Sequence, residues 1–296
     1  MSIKTIDLHF MWTPGAIAVY LLETSEGPIL FESGPYSCHQ RLKAELNRIG
    51  YQIEDIKHVV LTHIHLDHAG GAWAFAEKGA KIYVHEYGAK HLLAPSKLIE
   101  SATKIYADQM DTLWGKLMPI DKEQLVIVEH GAEFNFGNES IRALYTPGHA
   151  IHHIAWNTVH GIVCGDVAGI RIKKGPPMPP CPPPDINFDH WRNSLDVLLA
   201  ENPEQIYISH FGEYDNAALH LQNLKSEIDL WDEYAYSLYQ DNPNPMQALG
   251  PFTEWIESRF KALDESDEVL GKYNIANPPW MSIHGIFRYY SKRNTV

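Results

Sequence analysis

The residues best suited to chemistry lie together in Leu61-Thr62-His63-Ile64-His65-Leu66-Asp67-His68-Ala69-Gly70-Gly71, where three histidines and one carboxylate fall within six positions. Imidazole nitrogens and carboxylate oxygens are ligands for zinc, iron and manganese. Alternation along an extended loop would point His63, His65 and Asp67 the same way and turn His68 elsewhere. Four donors at this spacing crowd one tetrahedral ion but can divide between two. A merely solvated histidine-rich loop would need no ligands elsewhere. This chain supplies more, in Thr146-Pro147-Gly148-His149, Cys164-Gly165-Asp166 and Ser209-His210-Phe211-Gly212.

Each of these donors follows an apolar run of strand type. Residues 57–61 precede the first cluster, and a small-residue, helix-forming segment, 69–76, follows it. Residues 141–145, 161–163 and 205–208 precede the other three. Ligands of α/β proteins bind beyond the carboxyl ends of strands, so donors far apart in sequence can converge on one edge.

Together these motifs resemble the metallo-β-lactamase superfamily, specifically its H-x-H-x-D-H hydrolase branch that includes glyoxalase II. They run in family order from Gly15 to about His210, roughly two thirds of the chain. The resemblance implies two metal sites. His63, His65 and His149 match the ligands of the first, and Asp67, His68 and His210 those of the second. Asp166 matches the carboxylate that bridges them. Asp67 and Asp166 are then the catalytic carboxylates, and the cofactors are two divalent metal ions, zinc first, with iron and manganese compatible. The implied fold is α/β, an αβ/βα four-layer sandwich, which periodicity alone does not fix. Glu32 stands where many relatives have Asp near the metals as outer support; its longer side chain leaves a surface strand-end carboxylate as the alternative. His153 stands where relatives often carry a bracing histidine, and His152 is the lesser candidate. No cluster matches the glutathione-binding set of glyoxalase II.

The elements that must position these residues are partly legible. Residues 16–22 and 28–32 read as two strands around a polar turn, a hairpin. Residues 38–49 carry Leu42, Leu46 and Ile49 at helical spacing, closed by Gly50. Residues 81–85 form another strand, with His85 as a packing residue at its end. Residues 86–116 are helical, interrupted by Pro95. Residues 125–128 and 140–145 begin a second set of strands, and 154–158 and 162–164 flank a short turn. Residues 189–201 are an amphipathic helix that Asn187 or Asp189 can cap. The segment 175–184 holds seven prolines in ten residues. It must be stiff and extended, as a spacer or as a wall near the site mouth; Cys181 within it has no assigned role. From about 214 the chain turns helical and aromatic, over 214–239, 251–263 and 267–272. The expected division is a metal-binding domain, 1–213, and an α-helical C-terminal extension, 214–296, with most of its aromatics serving as core.

Composition narrows the function. The chain has 296 residues, 45% of them hydrophobic, enough for a real core. Its net charge of −13 and lack of a long basic run argue against nucleic acid and anionic membrane as partners. A small cationic pocket could still exist within it. A small-molecule substrate is the expected partner, and a homodimer is compatible. No stretch nears the roughly 18–20 apolar residues of a membrane span, and the N-terminus lacks an apolar core of signal-peptide length. Three cysteines, an odd and sparse set, read as reduced thiols in a cytoplasmic protein. Several of the other histidines, such as His58, His91 and His220, read as surface or packing residues.

Two divalent ions, two carboxylates and a bridging hydroxide leave a charge of about +1, suited to a carbonyl oxygen becoming an oxyanion. Metal binding brings the pKa of water from about 15.7 to about 7, so hydroxide is available at neutral pH. No serine or cysteine nucleophile is required, and Cys164 reads as a small buried residue. The expected activity is a dinuclear metal-dependent hydrolase that attacks a small ester, thioester or lactone with a metal-bridging hydroxide. The alternatives are a phosphodiesterase, which the acidic charge disfavours, and a mononuclear-iron oxidoreductase like the persulfide dioxygenases, which share the H-x-H-x-D-H string.

Overall fold

Continuous runs of buried residues build the centre of the first sheet, as in a sheet covered on both faces. In the computed structural model, which describes residues 3–263 and 266–293, the sheet holds β1 (Lys4–Asp7), β2 (Ala18–Thr24), β3 (Gly27–Phe31), β4 (His58–Val60), β5 (Lys81–His85) and β6 (Leu125–Val128), in that order. The first three strands pair antiparallel and the rest parallel. The expected hairpin is β2–β3. The helix expected over 38–49 is His39–Arg48; it buries Leu42 and Leu46 and ends before Gly50, whose φ of 96° suits the left-handed closure.

One strand joins a different sheet from the one expected. β6 does not open the second set of strands; it pairs parallel with β5, Ile82 opposite Leu125 and His85 opposite Val128. The helices Glu86–Leu93, Ser96–Tyr106 and Met110–Leu113 lie between the two strands. A crossover of that length is what a parallel pair needs. The second set begins instead with β7 (Glu133–Phe136) and continues through β8 (Glu139–Tyr145), β9 (Ile154–Thr158) and β10 (Gly161–Val163), an antiparallel meander.

These strands belong to one compact unit, Met1–Tyr145 with His152–Cys164; the other comprises Thr146–Ile151 with Gly165–Val296. The second unit contains the hairpin of β11 (Ile206–Ile208) and β12 (Gly212–Tyr214), the helix Phe188–Ala200, and four later helices: Ala217–Asp241, Pro245–Ala262, Asp267–Ala276 and Pro279–Arg293. Asn187 caps the first of these helices through the His190 N–H. The helix expected to begin at Pro251 begins at Pro245, because the Asn244 side chain accepts from Met246 N–H and Pro245 needs no donor in the first turn. The last helix lies within the expected helical extension, beyond the three segments given bounds there; residues 264–265 and 294–296 of that extension lie outside the described residues. Trp231, Phe252, Phe260, Tyr273, Phe287 and Tyr290 are buried, as a small helical layer requires. No helix among the described residues is long and apolar enough to cross a membrane.

His220 is expected to make this region acid-sensitive. It is buried, donates from Nε2 to the Ala168 carbonyl at 2.8 Å and lies against Tyr214. Burial holds its pKa down at about 4 from an ordinary 6.5, with the charge of Arg171 pushing the same way and the Ala168 hydrogen bond opposing. The folded chain therefore keeps His220 neutral where the unfolded chain protonates. This stability is full above pH 6.5 and falls by about 2–3 kcal/mol on acidification to pH 4.5. Urea melts of wild type and His220→Gln across that range should show the steeper acid loss in the wild type. Parallel curves would remove His220 from the account.

Candidate metal centre

The loop after β4 is shaped by hydrogen bonds to its own backbone. Ile154 N–H donates to the Thr62 carbonyl at 2.8 Å and the Trp156 indole to the Leu61 carbonyl at 3.0 Å. The His65 carbonyl accepts from His68 N–H at 3.0 Å and Ala69 N–H at 2.9 Å, so a short helix, Leu66–Ala69, starts at once. Asp67 therefore does not continue the alternation of His63 and His65. It and His68 leave a helical turn about 100° apart.

Within the first unit the donors pair closely. His63 Nε2 lies 3.0 Å from His65 Nδ1, and His63 Nδ1 lies 3.0 Å from Thr62 Oγ1. His68 Nδ1 faces Glu32 Oε1 at 3.3 Å, and its Nε2 lies 3.6 Å from Asp67 Oδ2. Glu32 is buried and accepts from both the hydroxyl and the N–H of Thr62. Donor atoms of Glu32, His63 and His68 all fall within 4.8 Å of one another. Glu32 thus reaches the cluster itself, which excludes the surface alternative. It does so from a backbone φ of 66°, a strained setting for a non-glycine residue. Ser33 ties it to the helix, its hydroxyl donating to the His68 carbonyl at 2.8 Å. The His153 ring stacks 5.0 Å from that of His63. His152 also belongs to the cluster: its ring stacks 6.1 Å from His63, and its Nδ1 accepts from Ile64 N–H at 3.4 Å.

Within the second unit Asp166 is the centre. Its Oδ2 lies 3.4 Å from His149 Nε2 and its Oδ1 3.5 Å from His210 Nε2. Asp166 sits in the turn Gly165–Ala168, fixed by the Trp191 indole, which donates to the Val167 carbonyl at 2.7 Å. His149 donates from Nδ1 to the Pro180 carbonyl at 2.9 Å, which leaves Nε2 for ligation. The proline-rich segment thus holds a proposed ligand. At Gly148 a side chain would collide with Trp191, so that helix and the His149 turn approach as only glycine permits. Arg171 brackets His210, donating its N–H to the His210 carbonyl at 2.6 Å and accepting from Phe211 N–H at 3.0 Å.

Three of these spacings fit metal ligation. Two donors each about 2.1 Å from a tetrahedral ion lie about 3.4 Å apart, whereas a direct N–H···O hydrogen bond is usually about 2.7–3.2 Å. The separations of 3.4, 3.5 and 3.6 Å are those of ligands flanking an ion. Other candidates stay outside this chemistry. His85 stacks on Tyr145 at 4.5 Å. Cys164 is fully buried, and burial pushes its thiol pKa up, away from the reactive thiolate.

Comparison with known proteins agrees with this geometry. The family model described as the metallo-β-lactamase superfamily matches residues 12–210. A metallo-β-lactamase fold-containing protein of Sulfurisphaera tokodaii is 30% identical over 164 residues, covering 54% of this chain and 62% of the relative. An N-acyl homoserine lactonase of Bacillus cereus is 36% identical over 93 residues, covering 24% and 37%. The matched region therefore spans less than two thirds of either relative. Among solved structures, the metallo-β-lactamase superfamily protein from Sulfolobus tokodaii aligns with a TM-score of 0.62 at 25% identity, over 76% of this chain and 85% of that one. A metallo-β-lactamase family protein from Thermus thermophilus aligns with a TM-score of 0.69 at 18% identity, over 99% and 94%. The fold is thus the metallo-β-lactamase fold, mixed α/β with a helical C-terminal region. Because the family match runs from the first hairpin to the last histidine of the ligand-spaced set, the chain belongs to the metallo-β-lactamase superfamily.

Proposed function

We propose that the chain is a dinuclear metal-dependent hydrolase acting on a small ester, thioester or lactone. The observation that carries this reading is the way Asp166 divides its oxygens, Oδ2 toward His149 and Oδ1 toward His210, as a carboxylate shared by two ions does. On this reading His63, His65 and His149 hold one ion, Asp67, His68 and His210 hold the other, and Asp166 bridges. The donor set suits zinc first, with iron and manganese compatible. When bound, the ions supply hydroxide at neutral pH and polarise the scissile carbonyl.

The chain's own residues set the rest. Thr62, Glu32 and Pro180 each occupy the Nδ1 side of a histidine, so His63, His68 and His149 keep Nε2 for the metal. Buried Asp166 faces an imidazole with each oxygen, while half-buried Asp67 meets solvent and is placed to accept the proton lost by the nucleophile. The lactone arm of the proposal draws on the similarity to the Bacillus lactonase. The acidic net charge favours a small-molecule partner over nucleic acid or membrane. We also take residues 1–213 as the metal-binding domain, 214–296 as a helical extension, and the compartment as cytoplasmic.

Protein prepared without chelator should carry two metal ions per chain by elemental analysis. The same sample should cleave at least one member of a lactone, thioester and ester panel faster than a phosphodiester. A stoichiometry of one, with iron, would move the reading to oxidation chemistry.

A further inference from the structure

We propose that a cleft lined by Arg171, Lys174, Arg259, Asn223 and Ser226 is a second binding site, for a small organic anion with a phosphate or carboxylate head. The cleft has a volume of about 490 Å³ and lies in the second unit, between the start of the proline-rich segment and the helices Ala217–Asp241 and Pro245–Ala262. None of His149, Asp166 and His210 lines it, and the inference stands whether or not the metal reading does.

Charge carries the argument. The cleft gathers three cations against one carboxylate, Glu227, which is paired with Arg259. Two positive charges remain, in a chain whose net charge is −13. Arg171 makes no ion pair among the described residues; its Nε donates to the Gly175 carbonyl at 3.1 Å and its guanidinium lies 4.7 Å over the Tyr214 ring. Lys174 is exposed and likewise makes no ion pair among them. Arg192, in a larger cleft of the same unit, shows the opposite arrangement: Asp189, Asp229 and Asp232 all hold it. Like charges left facing one cleft repel until an anion enters.

The remaining chemistry fits such a guest. Asn223 and Ser226 are three residues apart on one helix and present an amide and a hydroxyl side by side. A guanidinium binds carboxylate or phosphate through two parallel hydrogen bonds, and Lys174 adds a point charge. Pro176 and Leu263 give the cleft an apolar wall for the organic part.

Calorimetric titration of the full metal-loaded chain with phenyl phosphate, phenylacetate and inorganic phosphate tests the proposal. Saturable binding of one organic probe is expected, with Kd on the order of 1 mM or tighter, and the better probe identifies the head group. Lys174→Glu should weaken it at least tenfold without changing the melting temperature, since Lys174 is exposed and makes no ion pair among the described residues; Arg171→Gln should weaken it similarly. Absence of saturable binding by both organic probes would overturn the site. So would binding that survives Lys174→Glu, or binding abolished by chelation, which would place the anion on the metals.

Discussion

Asp166→Asn is expected to lower turnover by roughly 10²–10³-fold and to reduce bound metal from two ions per chain towards one. The carboxylate is buried, and each of its oxygens lies at ligand spacing from a different imidazole, 3.4 Å from His149 and 3.5 Å from His210. The amide keeps the shape but carries no charge, and it replaces one lone-pair donor with an NH₂ group. One of the two histidines would then face hydrogens. Metal-based charge stabilisation contributes several kcal/mol, and each 1.4 kcal/mol is tenfold in rate, which sets the magnitude. Cys164→Ala provides the contrast. Among the described residues its thiol hydrogen-bonds only to the Ile162 carbonyl, at 3.4 Å, so metal content and turnover should stay close to wild type. Metal and turnover must be measured on the same preparations. If Asp166→Asn retains both ions and near-normal turnover, the bridging assignment is wrong.

Much of the candidate site was legible because ligation restricts residue type. Only a few side chains bind such ions, and they must follow strand ends, so His63, His65, His149, Asp166 and His210 stood out where apolar runs stopped. Hydrogen bonding decided what spacing could not. Asp67 and His68 leave a helical turn because the His65 carbonyl accepts the N–H groups of His68 and Ala69, a competition that a two-residue period does not register. Glu32 could be read as either support or surface. What places it in the cluster is contact with Thr62, thirty residues away in sequence, and no local pattern encodes that. β6 shows the same limit at the level of the sheet: an apolar run announces a strand, but its partner depends on where the preceding helices return the chain. The helix expected from Pro251 begins six residues earlier, at Pro245, and Pro251 lies inside it.

Gly285→Ala is expected to weaken metal binding roughly 10–100-fold, although Gly285 is far in sequence from every proposed ligand. An added Cβ would run into the Cys181 carbonyl oxygen and lie 2.8 Å from the Pro182 carbonyl carbon and 2.9 Å from Pro183 N. All three are backbone atoms, so the helix Pro279–Arg293 or the proline-rich segment must move. The segment is gripped from the same helix at Ser282, whose hydroxyl accepts from Cys181 N–H at 3.2 Å and donates to Asn277 at 2.7 Å. Cys181 directly follows Pro180, whose carbonyl accepts the His149 Nδ1 proton. A shift there loosens the orientation of His149, and outer partners of this kind are worth about 10–100-fold in metal affinity. The sequence reads the segment as a spacer or as a wall near the site mouth; this hydrogen bond makes it a support of a proposed ligand as well. Overpacking will also cost about 1–3 kcal/mol of stability, so Ser282→Ala serves as a milder variant, with a smaller loss in the same direction. Gly271, in the helix Asp267–Ala276, has no neighbour within 4 Å of an added Cβ. Gly271→Ala should therefore leave metal affinity unchanged and stabilise the helix slightly. Competition with a chromophoric chelator reads affinity directly, and thermal melts read the fold. If Gly285→Ala and Ser282→Ala lower the melting temperature while chelator competition matches wild type, the segment does not support His149.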